Sequence, residues 1–306
     1  MHFRPVLPFL LRASLLAGFI TACDHAPPPR EFNGAGAFTY LQTQVAFGPR
    51  IPGTEGHRRM AAWLDSTLAG RGDTLLVQSW GHVTARGDTL QLRNYLVRFN
   101  PGAEERVLFL AHWDTRPRAD GPGSRDSTLP VPGANDGASG VALLLGVADA
   151  LKRVPPKAGV DLLFVDGEDY GDFLKHPDDV LIGSKYYAQH LPPGAQPLYA
   201  VLWDMVGGKN LKIFQEGNSL LGAPEVVDLV WKGARQAGHG DVFVSSPGYT
   251  LIDDHVSLQK VGIRAIDVVH FYPDYPYWHT PDDTIDKVSA ESLQAVGDVA
   301  MVLLRN

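Results

Sequence analysis

An α/β fold, with a mainly parallel, twisted central sheet and helices on both faces, is what this sequence predicts, on three observations. Four segments are apolar almost without interruption: Val107 to Ala111, Val160 to Val165, Leu198 to Trp203 and Ala265 to Val269. Unbroken runs of this kind suit strands buried on both faces. Helical patterns lie between them, and strands that alternate with helices argue for parallel pairing through helical crossovers. Finally, residues able to do chemistry follow the carboxyl ends of the runs, where open α/β sheets bind their ligands.

The chain opens with a targeting pattern. Arg4 and Arg12 flank an apolar stretch through Leu15, Leu16, Ala17, Gly18, Phe19 and Ile20, closed by Ile20-Thr21-Ala22-Cys23, which resembles a bacterial lipobox. Residues 1–22 are expected to be a lipoprotein signal peptide, with lipidation of Cys23 after cleavage. An ordinary secretory signal with an incidental cysteine is the alternative. Residues 23–36, with Pro27-Pro28-Pro29, read as the lipidated cysteine and an extended tether, and residues 37–306 as one catalytic domain. Lipid chains anchor without spanning, so the expected location is the bacterial cell envelope, on the periplasmic or outer face of a membrane. Cys23 is the only cysteine, so no intrachain disulfide can form.

Further on, residues 54–70 begin with a Thr54 cap and place Met60, Ala61, Leu64 and Leu68 on one helical face, up to a stop at Gly72. Thr74 to Val77 and Thr89 to Phe99 read as strands, with turn residues at Arg86-Gly87-Asp88. Val141, Leu144, Leu145, Ala148 and Leu151 share a face of a helix over 137–153, stopped by Pro155-Pro156. Val226 to Gln236 and Leu293 to Leu304 are two more helical patterns. No segment after the leader reaches the roughly 18 apolar residues that a spanning helix needs. The balance of 34 acidic against 27 basic residues, with no Lys/Arg-rich run, argues against a nucleic-acid partner.

The candidate site residues each have a plain alternative. His112 and Asp114 lie on one side of an extended chain, where Asp114 would accept the second ring N–H of His112; a surface hydrogen bond at a strand end would leave the same trace. Asp136 sits in Gly133-Ala134-Asn135-Asp136-Gly137-Ala138-Ser139-Gly140, either as a helix cap or as a ligand that small neighbours let approach an ion. Glu168 and Asp169 are adjacent acids whose side chains diverge, so one can bind a metal while the other stands by as a base. A solvated acidic turn, with Asp166, Asp172, Asp178 and Asp179 near, is the alternative. Asp204, in Trp203-Asp204-Met205-Val206, should be buried and partnered. In Asp253-Asp254-His255, Asp254 is a candidate cap for a helix over 255–261. His279 is crowded by Tyr272, Tyr275, Tyr277 and Trp278, which are packing or the wall of a substrate pocket. His, Asp, Glu/Asp and His from separate strand ends make up the ligand chemistry of a zinc site with an open position and an adjacent carboxylate base.

In this order, His112-Trp113-Asp114, Asn135-Asp136-Gly137, Asp166-Gly167-Glu168-Asp169, Trp203-Asp204-Met205-Val206-Gly207, Asp253-Asp254-His255 and Trp278-His279-Thr280 resemble the zinc-dependent glutaminyl cyclases of animal type, the glutaminyl-peptide cyclotransferases, in their bacterial branch. These share their fold with the leucyl-aminopeptidase-like zinc exopeptidases. Phe47-Gly48-Pro49-Arg50-Ile51-Pro52-Gly53-Thr54 is also typical of the group. The resemblance implies cyclisation of N-terminal glutamine of peptides and proteins to pyroglutamate, with release of ammonia. It implies one zinc ion on Asp136, Asp169 and His279, with Glu168 as general acid/base. Asp204 and Asp253 would form a hydrogen-bonded acidic pair beside the substrate amine, and Trp278 and Leu251 would wall the pocket. A cis peptide bond is implied at Asp136–Gly137. Asp169 stands where animal cyclases usually have Glu, and Leu174 falls near a position where they carry Trp. The alternative within the fold is a two-zinc aminopeptidase using His112, Asp136, Asp169, Asp204 and His279, with Asp114 behind His112. Asp253 and Trp278 favour the cyclase, since such peptidases usually have Ser-Asp-His at 253–255 and commonly lack the Trp. A catalytically dead lipoprotein that binds peptides or glycans is a third possibility, which the intact Glu168 argues against. Peptide or protein N-termini are the expected partners, a membrane is met only through the lipid, and a monomer is expected.

Overall fold

The computed structural model describes residues 1–3 and 30–305; the lipobox, Cys23 and most of the tether lie outside the described residues. In chain order the helices and strands are α1 (Gly34–Val45), α2 (Glu55–Leu68), β1 (Thr74–Val83), β2 (Thr89–Phe99), β3 (Arg106–His112), α3 (Ala138–Arg153), β4 (Gly159–Val165), α4 (Ile182–Gln189), β5 (Tyr199–Asp204), β6 (Ile213–Gln215), α5 (Gly217–Gly222), α6 (Pro224–Gln236), β7 (Phe243–Pro247), α7 (Asp254–Gln259), β8 (Ala265–Val269) and α8 (Ala290–Arg305).

The four apolar runs are β3, β4, β5 and β8, and they pair in parallel. β2 and β1 extend the sheet antiparallel beyond β4, giving the order β1-β2-β4-β3-β5-β8. Side chains of successive strand residues point to opposite faces, and both faces are covered. Phe109, Ala111, Leu162, Phe164, Val201, Trp203 and Ile266 pack with residues of α1, α3, α6 and α8. Leu108, Leu110, Leu163, Val165, Ala200 and Leu202 pack with Tyr187 of α4 and Leu258 of α7. The sheet is therefore mainly parallel and sandwiched, as its sequence predicts.

Some boundaries differ from expectation. α1 begins at Gly34, capped by the Asn33 carbonyl oxygen of its side chain on the Gly36 N–H, and Phe32 is buried in the core. The packed chain thus starts within the stretch read as tether, because Phe32 supplies an apolar anchor. β1 reaches Val83 rather than Val77, since it pairs with β2 along its whole length. The cap of α7 is Asp253, whose carboxylate accepts the Asp254 N–H, and not Asp254. The small two-stranded β6–β7 sheet and the short α4 and α5 had no sustained periodicity to announce them. Among the described residues no helix is long and apolar enough to cross a membrane.

At the amino end of the parallel strands, Asp161 is buried between two guanidinium groups. Arg98 donates through Nε and Nη2 at 3.1 and 3.4 Å, and Arg106 through Nε and Nη2 at 2.9 and 2.7 Å.

Candidate metal centre

The carboxyl end of the sheet collects a second set of buried charges. His112 is the last residue of β3 and Asp204 the last of β5; Glu168 and Asp169 follow β4. Asp136 lies in the turn into α3, Asp253 at the start of α7 and His279 on the loop after β8. All seven are buried.

Asp136 stands between the two imidazoles. Its Oδ1 is 3.1 Å from His112 Nε2 and its Oδ2 is 3.5 Å from His279 Nε2. His279 Nε2 is also 3.2 Å from Asp169 Oδ1, and His112 Nε2 is 3.1 Å from Asp204 Oδ1. One half of the centre is therefore His279 with Asp169, the other His112 with Asp204, and Asp136 is shared.

The two histidines are held differently. The second ring nitrogen of His279 meets the Asp120 carboxylate at 3.2 Å. Asp120 in turn takes both forks of Arg116 at 2.7 Å, and Arg116 donates to the Asp169 carbonyl oxygen at 2.9 Å. The second ring nitrogen of His112 is buried without a hydrogen bond. Asp114 lies 3.6 Å from it, too far for one. The carboxylate of Asp114 instead accepts the backbone N–H groups of Glu168 at 3.0 Å and Asp169 at 3.2 Å, so it shapes the acidic turn rather than the imidazole.

The Asp136 turn is fixed from behind. Asp283 accepts the Asn135 and Asp136 N–H groups at 2.9 and 3.1 Å and the Tyr275 hydroxyl at 2.6 Å. Arg50 donates to the Pro132 and Gly133 carbonyl oxygens, both at 2.6 Å. The Asp136–Gly137 peptide bond is cis. A Cβ on Gly137 would lie 2.5 Å from the His112 carbonyl oxygen and 2.6 Å from its ring, so only glycine fits. A Cβ on Gly121 would meet the Trp278 carbonyl oxygen at 2.1 Å, where the Gly121 N–H donates to the His279 carbonyl. That close approach holds the backbone of His279, which has a left-handed φ of 52°.

Acids outnumber the cationic groups here. Burial, then the charge of Asp169, pushes Asp136 up to about 7. Burial, then Asp169 and Asp253, holds Glu168 well above the usual carboxylate range. Burial, then Asp204, lifts Asp253 to about 7. Burial works to lower His279, yet Asp169 and the bond to Asp120 raise it to about 9. Asp169 Oδ2 is buried with no hydrogen-bond partner. Donor atoms of His112, Asp136 and Asp169 lie within 4.8 Å of one another. Imidazole nitrogens and carboxylate oxygens converging in a buried, acid-rich pocket fit a zinc ion.

A cavity of about 310 Å³ opens on these groups, lined by Asp136, Glu168, Asp169, Asp204, Asp253 and His279 on its polar side and by Phe173, Leu251, Phe271 and Trp278 on its apolar side. Most of the sequence-derived residues thus line one cavity, Trp278 and Leu251 included, while His112 stands behind Asp136 and Asp204, and Asp114 behind the acidic turn. Leu174, whose side chain is 93% exposed, does not line it; its neighbour Phe173 does. The hydrogen bonds of Asp204 and Asp253 run to His112 and to the Asp254 N–H rather than between the two acids. Asp120, Arg116, Asp283 and Arg50 were given no role by the sequence, although Arg50, Arg116 and Asp283 lie in or beside its motifs.

Residues 94–304 match peptidase family M28. A glutaminyl cyclase of Bacteroides thetaiotaomicron, solved with N-acetylhistamine, is 34% identical with a TM-score of 0.86, over 91% of this chain and 99% of that one. A leucine aminopeptidase precursor from the same organism is 34% identical with a TM-score of 0.85, over 91% and 98% of the two chains. An aminopeptidase of Bacillus subtilis is 28% identical over 203 residues, 63% of this chain, which spans only 39% of that relative's length. The chain belongs to peptidase family M28.

Proposed function

We propose that this M28 chain cyclises N-terminal glutamine of peptides and proteins to pyroglutamate with release of ammonia, using one zinc ion on Asp136, Asp169 and His279. The likeness to the B. thetaiotaomicron glutaminyl cyclase over nearly its whole length supports the reaction. The observation that carries the single ion is the asymmetry of the two histidines. A metal-bound imidazole almost always gives its other N–H to an orienting group. His279 has one in Asp120 at 3.2 Å, whereas the carboxylate nearest the corresponding nitrogen of His112, that of Asp114, stands at 3.6 Å and leaves it without a hydrogen bond.

A zinc ion held there acts as a Lewis acid on a carbonyl oxygen. Glu168 takes a proton from the substrate α-amine as that nitrogen attacks the side-chain amide carbon. A five-membered lactam closes, the carbon–nitrogen bond of the amide breaks, and Glu168 returns the proton to the departing ammonia. Burial and the neighbouring acids raise the proton affinity of Glu168, which suits a group that both takes and gives a proton. Asp204 and Asp253 face the same cavity and bind the amine, while Trp278, Leu251 and Phe173 exclude water around the glutamine chain. Cys23 is the lipid anchor of an envelope lipoprotein in this reading, on the strength of the sequence pattern alone.

One feature favours a second reading. Asp136 turns one oxygen to each histidine, as a carboxylate bridging two ions would, and the second set, His112 with Asp204, would complete a two-zinc aminopeptidase. Mass spectrometry of a Gln-initiated peptide after incubation decides. Loss of ammonia is expected; loss of the whole first residue overturns the cyclase in favour of the peptidase.

A further inference from the structure

We infer that a second cavity, adjoining the reaction pocket and lined by Phe214, Tyr249, Phe271 and Tyr272, receives an aromatic side chain from the residue that immediately follows the glutamine. This rests on the cyclase reading above, and names the class of peptide that the site prefers.

The cavity measures about 380 Å³, within the range of small-ligand sites. It shares Leu251, Val269 and Phe271 with the reaction pocket, so the two are separated by no more than this row of side chains. In the inferred pose a glutamine sits against Glu168 and the peptide leaves over that row. The next side chain then meets the second cavity.

The walls say what kind of side chain. Tyr249 meets Phe271 edge-on at 5.7 Å, Phe271 meets Trp278 edge-on at 4.7 Å, and Trp278 stacks on His279 at 4.1 Å. This series of rings runs outward from the metal centre to Tyr249, which is 57% exposed. An incoming ring would continue it, and offset or edge-to-face ring pairs gain more than their buried area alone. The wall also has little charge to offer. Glu216 faces the cavity, but its Oε1 accepts the Asn218 and Leu251 N–H groups, both at 2.8 Å, and its Oε2 accepts the Ser219 N–H and hydroxyl, both at 2.6 Å. Those bonds turn the carboxylate inward and fix Leu251 in the shared row. Asp274, exposed at the rim, is the lining acid left for solvent.

The test compares Gln-Phe-Ala amide, Gln-Gly-Ala amide and Gln-Ala-Phe amide by ammonia release, in wild type, Tyr249→Ala and Phe214→Ala. Wild type is expected to favour phenylalanine over glycine at the second position by about tenfold in kcat/KM, mainly through KM. Tyr249→Ala, at an exposed position that folding tolerates, should bring that ratio near one while leaving the rate on Gln-Gly-Ala amide unchanged; Phe214→Ala should do the same. Equal kcat/KM for phenylalanine and glycine in wild type overturns the inference while leaving the cyclase reading intact. So does a preference confined to the third position, or a ratio that neither variant alters. If no glutaminyl peptide releases ammonia, the cyclase reading itself falls.

Discussion

Asp161 and Asp136 are both buried aspartates placed between two nitrogenous side chains, at opposite ends of one sheet. At the amino end, Asp161 accepts four hydrogen bonds from Arg98 and Arg106, and its charge is answered within the protein. Such forked pairs are short and strong. At the carboxyl end, Asp136 meets His112 and His279, but shares them with Asp169 and Asp204 and has Glu168 close by. Its charge is answered only in part, because the same imidazoles also face Asp169 and Asp204. The first arrangement holds the fold, and the second leaves a local excess of negative charge that fits a metal ion.

Replacing each aspartate should therefore fail in a different way. The largest effect is expected from Asp136→Asn, which should lose the zinc and with it all turnover above background, as seen by elemental analysis and ammonia release. The metal-free protein should not suffer. Asp136 is raised to about 7, above its unfolded value, so its burial as a charged group costs stability once the pH passes that unfolded value, and the cost is fully present above about 7. Metal-free Asp136→Asn should melt no lower than metal-free wild type at pH 8, with any advantage fading as the pH falls toward 4. A variant that keeps stoichiometric zinc would remove Asp136 from the ligand set.

Glu168→Gln separates holding the ion from using it. It should retain zinc and fold while losing about 10²–10⁴ in kcat, the usual contribution of a positioned acid/base. Near wild-type turnover would assign the proton to another of the pocket acids.

Asp161→Asn should reverse the pattern. It leaves two buried guanidinium groups short of their counter-charge, and breaking such a pair typically costs about 3–5 kcal/mol. Denaturant unfolding should show that loss, while zinc content and kcat per folded chain stay unchanged. Loss of zinc in this variant would mean that the two ends of the sheet are coupled.

The sequence makes the chemistry of the carboxyl end more legible than its supports. His112, Glu168, Asp169 and Asp204 stand at the ends of apolar runs, so topology alone brings them together, and Trp278-His279 follows the fourth run. Asp136 is legible because Gly137 and Ala138 leave room beside it. Asp120 is not, because it lies in a loop of Pro, Gly, Arg and Asp residues that reads as solvated surface, and only the fold brings it to His279. Asp283 sits in plain view four residues after His279, yet nothing local says that its carboxylate turns back to the Asp136 turn. Asp114 misleads for a related reason. Spacing on an extended chain puts it beside His112, but the turn after β4 offers two unpaired N–H groups that are nearer. Three-residue β6 and single-turn α5 are too short to carry a period, so the wall of the second cavity was not readable in advance.

Asp120→Asn is the smallest of these changes and the one that best divides the two halves of the centre. The carboxylate touches no proposed ligand atom; it meets the far nitrogen of His279 and both forks of Arg116, which then reaches Asp169. It is also partly exposed and Arg116 keeps its bond to the Asp169 carbonyl, so the change should cost less in folding than at Asp161, where both guanidinium groups and the carboxylate are buried. Its effect should appear in the ion. Removing an orienting partner of a metal-bound imidazole typically weakens binding by about 10–100-fold, and competition with a chromogenic chelator should show a loss of that size, with kcat near normal at saturating zinc. The same titration on Asp114→Asn reports on the acidic turn instead, since Asp114 does not hold His112. If Asp120→Asn binds zinc as tightly as wild type, His279 is not the anchored ligand, and the ion belongs with His112, Asp136 and Asp169, whose donor atoms also converge.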